Sequence, residues 1–220
     1  MKKILLSAVL VLMASSAFAV GITGTKHDFS SLAGNTNAYK GASDQICKYC
    51  HVPHNAKSAN ILWSRSIGTG TAPTTFYDSD TMNATAAAPS KPQSTLCLSC
   101  HNITPDNSNF LNFGNGGAGA GIIGAGNKVI AGAGADDLTN DHPIGFNYNA
   151  ALVAADGGLV AVTAGDYIGA TGTKLPLFGA AGTASLECAS CHAVHGVGTI
   201  PMFLRTTNAG SVLCLKCHIK

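Results

Sequence analysis

Four stretches of the chain repeat one arrangement of two thiols and an imidazole. They are Cys47-Lys48-Tyr49-Cys50-His51, Cys97-Leu98-Ser99-Cys100-His101, Cys188-Ala189-Ser190-Cys191-His192 and Cys214-Leu215-Lys216-Cys217-His218, and together they use all eight cysteines. Two thiols three residues apart lie on one face of a helical turn. From there they can add to the two vinyl groups of one haem as thioethers. The following histidine then offers its imidazole to the iron as proximal ligand. Disulfides and zinc ribbons are the competing uses of so many cysteines, but neither requires a histidine after every C-x-x-C pair. The spacing therefore indicates four covalently attached c-type haems.

Four further histidines remain: His27, His54, His142 and His195. Four haems need four distal ligands, so the numbers match. Beyond the leader described below, the only methionines are Met82 and Met202, so Met/His ligation could serve two haems at most. Bis-His ligation of all four is the expectation, with low-spin, six-coordinate iron and lower potentials than His/Met ligation. His54 and His195 each follow a proximal histidine by three residues. Two imidazoles that close cannot easily reach opposite faces of one porphyrin. His54 is thus expected on a haem other than that of His51, and His195 on one other than that of His192. Spacing alone leaves the full pairing open.

The motifs fall into two copies of one module. The first runs through His27, Cys47 to His54, Ile61 to Arg65 and Leu96 to His101. The second runs through His142, Cys188 to His195, Pro201 to Arg205 and Leu213 to His218. Arg65 and Arg205 are the only arginines, 18 and 17 residues after the first cysteine of their copies. Read as equivalent, they are candidates to pair with haem propionates through the planar guanidinium fork.

The remaining sequence sets the frame for these residues. Lys2 and Lys3, an apolar run from Ile4 to about Ala14, and Ala17-Phe18-Ala19 read as an export signal over residues 1–19. The apolar run is shorter than the roughly 20 residues of a membrane span, so no membrane anchor is expected. The divisions expected are a first dihaem module over 20–113, a connecting segment over 114–135 with 9 Gly and 6 Ala, and a second dihaem module over 136–220. The fold class expected is a haem-organised multihaem cytochrome c with low regular secondary structure. Short helices should surround the CxxCH motifs, strand should be scarce, and residues 157–179 should form at most a small hairpin. The porphyrins are expected to supply the apolar centre. Charged residues are only 11% of the chain, and no basic cluster outside the leader suggests a nucleic-acid partner. Without Lys2 and Lys3 the chain is formally neutral, with 11 basic and 11 acidic side chains. Four ferric haems with ionised propionates would bring it to about −4, and four ferrous ones to about −8.

The sequence resembles the tetrahaem, bis-His c-type cytochromes exported by metal-reducing bacteria, specifically the outer-surface cytochrome E type. The resemblance rests on Lys26-His27-Asp28, Cys47 to Ala56, Leu62 to Arg65, Leu96 to His101, Asp141 to Phe146, Leu175 to Gly179, Cys188 to His195 and Phe203 to His218. It implies a head-to-tail homopolymer acting as an extracellular electron conduit to minerals or other redox proteins. It also makes His27 the best candidate for a ligand donated to a neighbouring protomer, against the alternative that His27 serves its own chain. An open heterologous contact of that kind generates a filament. A monomeric periplasmic electron shuttle is the competing reading. A multihaem reductase is disfavoured, because eight histidines for four irons leave no open coordination position. Outer-sphere electron transfer needs no catalytic side chain.

Overall fold

In every CxxCH motif the histidine N–H donates to the carbonyl of the first cysteine, closing one helical turn. The bonds are 2.9 Å for His51 to Cys47, 2.8 Å for His101 to Cys97, and 3.0 Å for both His192 to Cys188 and His218 to Cys214. The computed structural model describes residues 21–35, 40–54, 56, 60–64, 75–88, 90–101, 137–169, 172–196 and 200–219. The leader expected over residues 1–19, the 114–135 segment and Arg65 lie outside the described residues.

Two of the motif turns are 3-10 turns, Ile46–Tyr49 and Cys214–Lys216. The other two belong to α-helices. Helix α1, Pro92–Leu98, starts with proline in its first turn, where the missing N–H costs nothing, and runs directly into Cys97 to His101. Helix α3 is the single turn Cys188–Cys191. Helix α2, Ala150–Asp156, stands apart from any motif. Asn149 caps it by accepting from the Leu152 N–H at 3.0 Å, and Gly157 stops it in the left-handed region at φ 71°. These are the ordinary start and stop signals of a helix.

The described strand segments are two residues each. Among the described residues, β1 (Thr75–Phe76) pairs in parallel with β2 (Asp137–Leu138), and β3 (Phe146–Asn147) pairs antiparallel with β7 (Ser185–Leu186). Strands β4 (Val162–Thr163), β5 (Tyr167–Ile168) and β6 (Leu175–Pro176) form an antiparallel meander. The expected small hairpin thus gains a third strand. Leu175-Pro176 lies on an edge of the meander, where proline's missing donor is tolerated.

An apolar cluster sits under these strands, built from Phe146, Tyr148, Leu152, Leu159, Ile168, Leu177, Ala184 and Leu186. Ile168 is fully buried. The second half of the chain therefore builds a side-chain core of its own, in addition to any apolar centre that haem would supply. The fourth motif is tied to that core by backbone pairing. Val160 N–H donates to Cys217 O and Ile219 N–H to Gly158 O, both at 2.8 Å.

The two copies of the module interlock. Helices α1 and α3 pack together, and the N-terminal segment crosses the second copy at Gly21. A Cβ on Gly21 would lie 1.6 Å from the His195 carbonyl oxygen, so only glycine allows this approach.

Candidate functional site

The first and third motifs carry the same loop behind the proximal histidine. After His51 the chain returns so that Val52 N–H donates to Leu62 O at 2.8 Å and Ser64 N–H to Cys50 O at 2.9 Å. After His192 it returns so that Ala193 N–H donates to Phe203 O at 2.7 Å and Arg205 N–H to Cys191 O at 2.8 Å. At the tip of each return two consecutive residues take positive φ: Ile61 and Leu62 at 52° and 55°, Met202 and Phe203 at 58° and 56°. Such backbone is costly for non-glycine residues, above all for a β-branched one. It turns one carbonyl onto the proximal imidazole. Nδ1 of His51 lies 2.6 Å from Ile61 O, and Nδ1 of His192 lies 2.8 Å from Met202 O. A carbonyl only accepts, so Nδ1 carries the proton in both. The lone pair is left on Nε2, the atom a metal would take.

The hydrogen bonds that frame the two loops match at one constant offset, pairing Cys50 with Ser64 and Cys191 with Arg205. Arg205 therefore stands where the first copy has Ser64, and the equivalence read from the sequence between Arg65 and Arg205 is one residue out of register. Spacing by residue type aligned the two arginines, whereas the hydrogen-bond ladder aligns the backbone. Arg205 Nε donates to Ala189 O at 2.8 Å, and burial lowers its pKa. The Ser64 hydroxyl also donates to a carbonyl of its own motif turn, Tyr49 O at 2.7 Å, one residue further along than the Arg205 acceptor.

The histidines come together in twos. Ring centroids lie 6.0 Å apart for His27 and His101, 6.0 Å for His51 and His195, and 6.4 Å for His142 and His218. Aromatic rings in ordinary contact span about 4.5–7 Å, so the distances alone decide little. The composition of the pairs carries the weight: each joins one motif histidine to one histidine from outside the motifs. Two imidazoles bound through nitrogen at about 2.0–2.1 Å to opposite sides of a metal place their centroids about 6.3 Å apart. The three separations fit that arrangement. Among the described residues no group of three or more His, Cys, Asp or Glu converges, whereas a tetrahedral zinc site needs four ligands.

Two of the non-motif histidines have support of their own. His27 stacks on Phe203 with centroids 4.7 Å apart. Burial and the His101 and His192 imidazoles pull its pKa down to about 4, which keeps a neutral lone pair. Its neighbour Asp28 is buried and accepts from Gly24 N–H at 2.8 Å, Ser30 N–H at 3.0 Å and the Ser30 hydroxyl at 2.5 Å. His142 keeps its Nδ1 3.0 Å from Pro143 O, and burial lowers its pKa. His54 is exposed and is not brought against another histidine among the described residues. Met82 packs against the apolar cluster, and Met202 is 80% exposed.

The motifs also meet through their cysteines. Cys97 and Cys188 are electrostatic neighbours, and that proximity raises the first thiol and lowers the second. Burial pushes the Cys217 thiol up to about 12. The Ser94 hydroxyl, three residues before Cys97, accepts from Cys188 N–H at 2.9 Å and donates to Glu187 Oε2 at 2.5 Å. The Trp63 Nε1–H, beside His51, is buried with no partner. Such a donor suits a group with acceptor oxygens, as haem propionates are.

Residues 181–220 match a family model described as a doubled CXXCH motif. No curated protein matches the chain. The match covers the third and fourth motifs, and it supports a c-type cytochrome-like protein with covalently bound haem and electron-transfer chemistry. Low regular secondary structure agrees with that class. No described helix is long and apolar enough to cross a membrane.

Sequence reasoning missed two features of the site. The carbonyl locks on His51 and His192 leave no signal in residue types, because backbone supplies them. The Ser94–Glu187 junction is likewise invisible, since its members lie 93 residues apart.

Proposed function

We propose that this chain is an exported electron carrier holding four c-type haems, each ligated by two histidines. The observation that carries the reading is the set of three histidine pairs, each a motif imidazole facing a non-motif one at 6.0–6.4 Å. When bound, haem iron supplies one-electron ferric/ferrous exchange. Cys47 and Cys50, Cys97 and Cys100, Cys188 and Cys191, and Cys214 and Cys217 would anchor the four groups. His51, His101, His192 and His218 would hold the irons from one side. His195, His27 and His142 would hold the first, second and fourth from the other. His54 is left for His192, the reciprocal of His195 serving His51. Ile61 O and Met202 O fix two of the proximal rings in the tautomer that ligates.

The fine assignment to an outer-surface cytochrome E type, polymerising into extracellular filaments that reach minerals or other redox proteins, rests on the sequence resemblance. The position of His27 against His101 of the same chain supports own-chain ligation over donation to a neighbour. A filament would then be held by surface contacts rather than by a shared His27. Negative-stain microscopy of the haem-loaded protein separates the two assemblies. Filaments of regular repeat are expected for the conduit, and uniform small particles across concentration and salt would instead make it a shuttle. High-spin absorption in the resting protein would overturn bis-His ligation and reopen the reductase reading.

A further inference from the structure

Helices α1 and α3 meet at a buried carboxylate. Glu187 is 1% exposed. Its Oε1 accepts from the Ser185 hydroxyl and its Oε2 from the Ser94 hydroxyl, both at 2.5 Å. Its own N–H donates to Ser190 Oγ at 3.0 Å. No basic side chain pairs with it among the described residues. Arg205, the arginine beside the same turn, instead gives its Nε to Ala189 O. Glu187 directly precedes Cys188, and Ser94 joins it to helix α1 one turn before Cys97. Ser94 Oγ already accepts from the Cys188 N–H, so its proton goes to Glu187, whose side chain also accepts from the Ser190 N–H. An acceptor-only carboxylate thus sits, away from solvent, between the second and third attachment motifs.

We infer that Glu187 sets the reduction potentials of the haems attached at Cys97/Cys100 and Cys188/Cys191, holding both below the value they would have without its charge; this rests on the haem reading above. Reduction adds one electron to each iron and lowers the charge there by one. A nearby negative charge opposes that step, and it acts most strongly where water does not screen it. The hydroxyls of Ser94 and Ser185 stabilise the carboxylate in place without neutralising it. Asp44 is the natural comparison. It also precedes a motif, but it is exposed to solvent, so its charge is screened.

The test is a spectropotentiometric titration of the holoprotein with dithionite, resolving the four haem midpoints. Intact mass first establishes that the second and third motifs carry haem; their absence would refute the haem reading itself. With haems present, E187Q is expected to raise two of the four midpoints and leave two in place. E187D should keep all four near the wild-type values, and D44N should move none appreciably. If E187Q does not fold, A189K brings a cation to the same turn, where the first copy already carries Lys48. It should raise the same two midpoints. Midpoints unmoved in a folded E187Q, or in A189K where it stands in, all four moving together, or E187D matching E187Q would overturn the assignment.

Discussion

Replacing His195 by alanine should open one coordination position, at the haem of the first motif and not at the haem of the third. His195 follows His192 by three residues in sequence, yet its ring lies 6.0 Å from His51. That separation fits one metal atom between the two rings, and a methyl group stops well short of the ~2 Å bond that the imidazole makes. The loss is therefore one ligand of eight and one iron of four. About a quarter of the low-spin ferric signal in electron paramagnetic resonance should convert to high spin, and added imidazole should restore it. The decisive arm repeats H195A in a chain whose first motif is removed by C47A and C50A. There the three remaining haems should stay low-spin, because the haem that lost its ligand is gone. A high-spin signal persisting in that background would place His195 on another haem and refute the cross-ligation.

Other perturbations follow from the same contacts. S94A removes a hydroxyl bond to a buried carboxylate and leaves the Cys188 N–H without its acceptor; chemical denaturation of the holoprotein should show a loss of about 2–4 kcal/mol. G21A puts a Cβ 1.6 Å from the His195 carbonyl oxygen. It should displace the N-terminal segment and loosen His27, visible as one haem binding exogenous cyanide or imidazole faster than in the parent. I168A empties a fully buried site in the second-half core and should cost about 2–5 kcal/mol. The hydroxyl and N–H bonds of Ser30 and the Gly24 N–H outweigh burial and hold Asp28 below its ordinary 3.8. Its contribution is present above that value and lost as pH falls through the lowered one. D28N should accordingly flatten the acid limb of a stability profile below pH 4, measured by thermal melts.

How far the sequence carried the account depends on whether a feature lives in residue types or in backbone. The four CxxCH turns were legible because the chemistry demands those types at that spacing. His195 lies against His51 rather than His192, in keeping with an expectation that needs only the reach of an imidazole. Helix α2 was legible in principle, with Asn149 before an Ala/Leu/Val run and Gly157 after it. The expected helices lay mainly around the motifs, and this one stands apart from them. The Leu175-Pro176 strand was hidden by a proline that an edge position tolerates. The loops behind His51 and His192 could not be read, because Ile61 and Met202 act through carbonyls and adopt backbone angles their side chains disfavour. The same blindness put Arg65 rather than Ser64 opposite Arg205. The shared junction of the two copies at Glu187 needed tertiary structure, since nothing local links Ser94 to a residue in the other half.

The central claim is that all four motifs carry covalent haem. Intact-mass spectrometry of the purified holoprotein tests it most directly. Four attached groups would raise the mass of the processed chain by about 2.5 kDa, and the addition should survive acid denaturation. An increment corresponding to three haems or fewer, or haem that is lost on denaturation, would contradict the account.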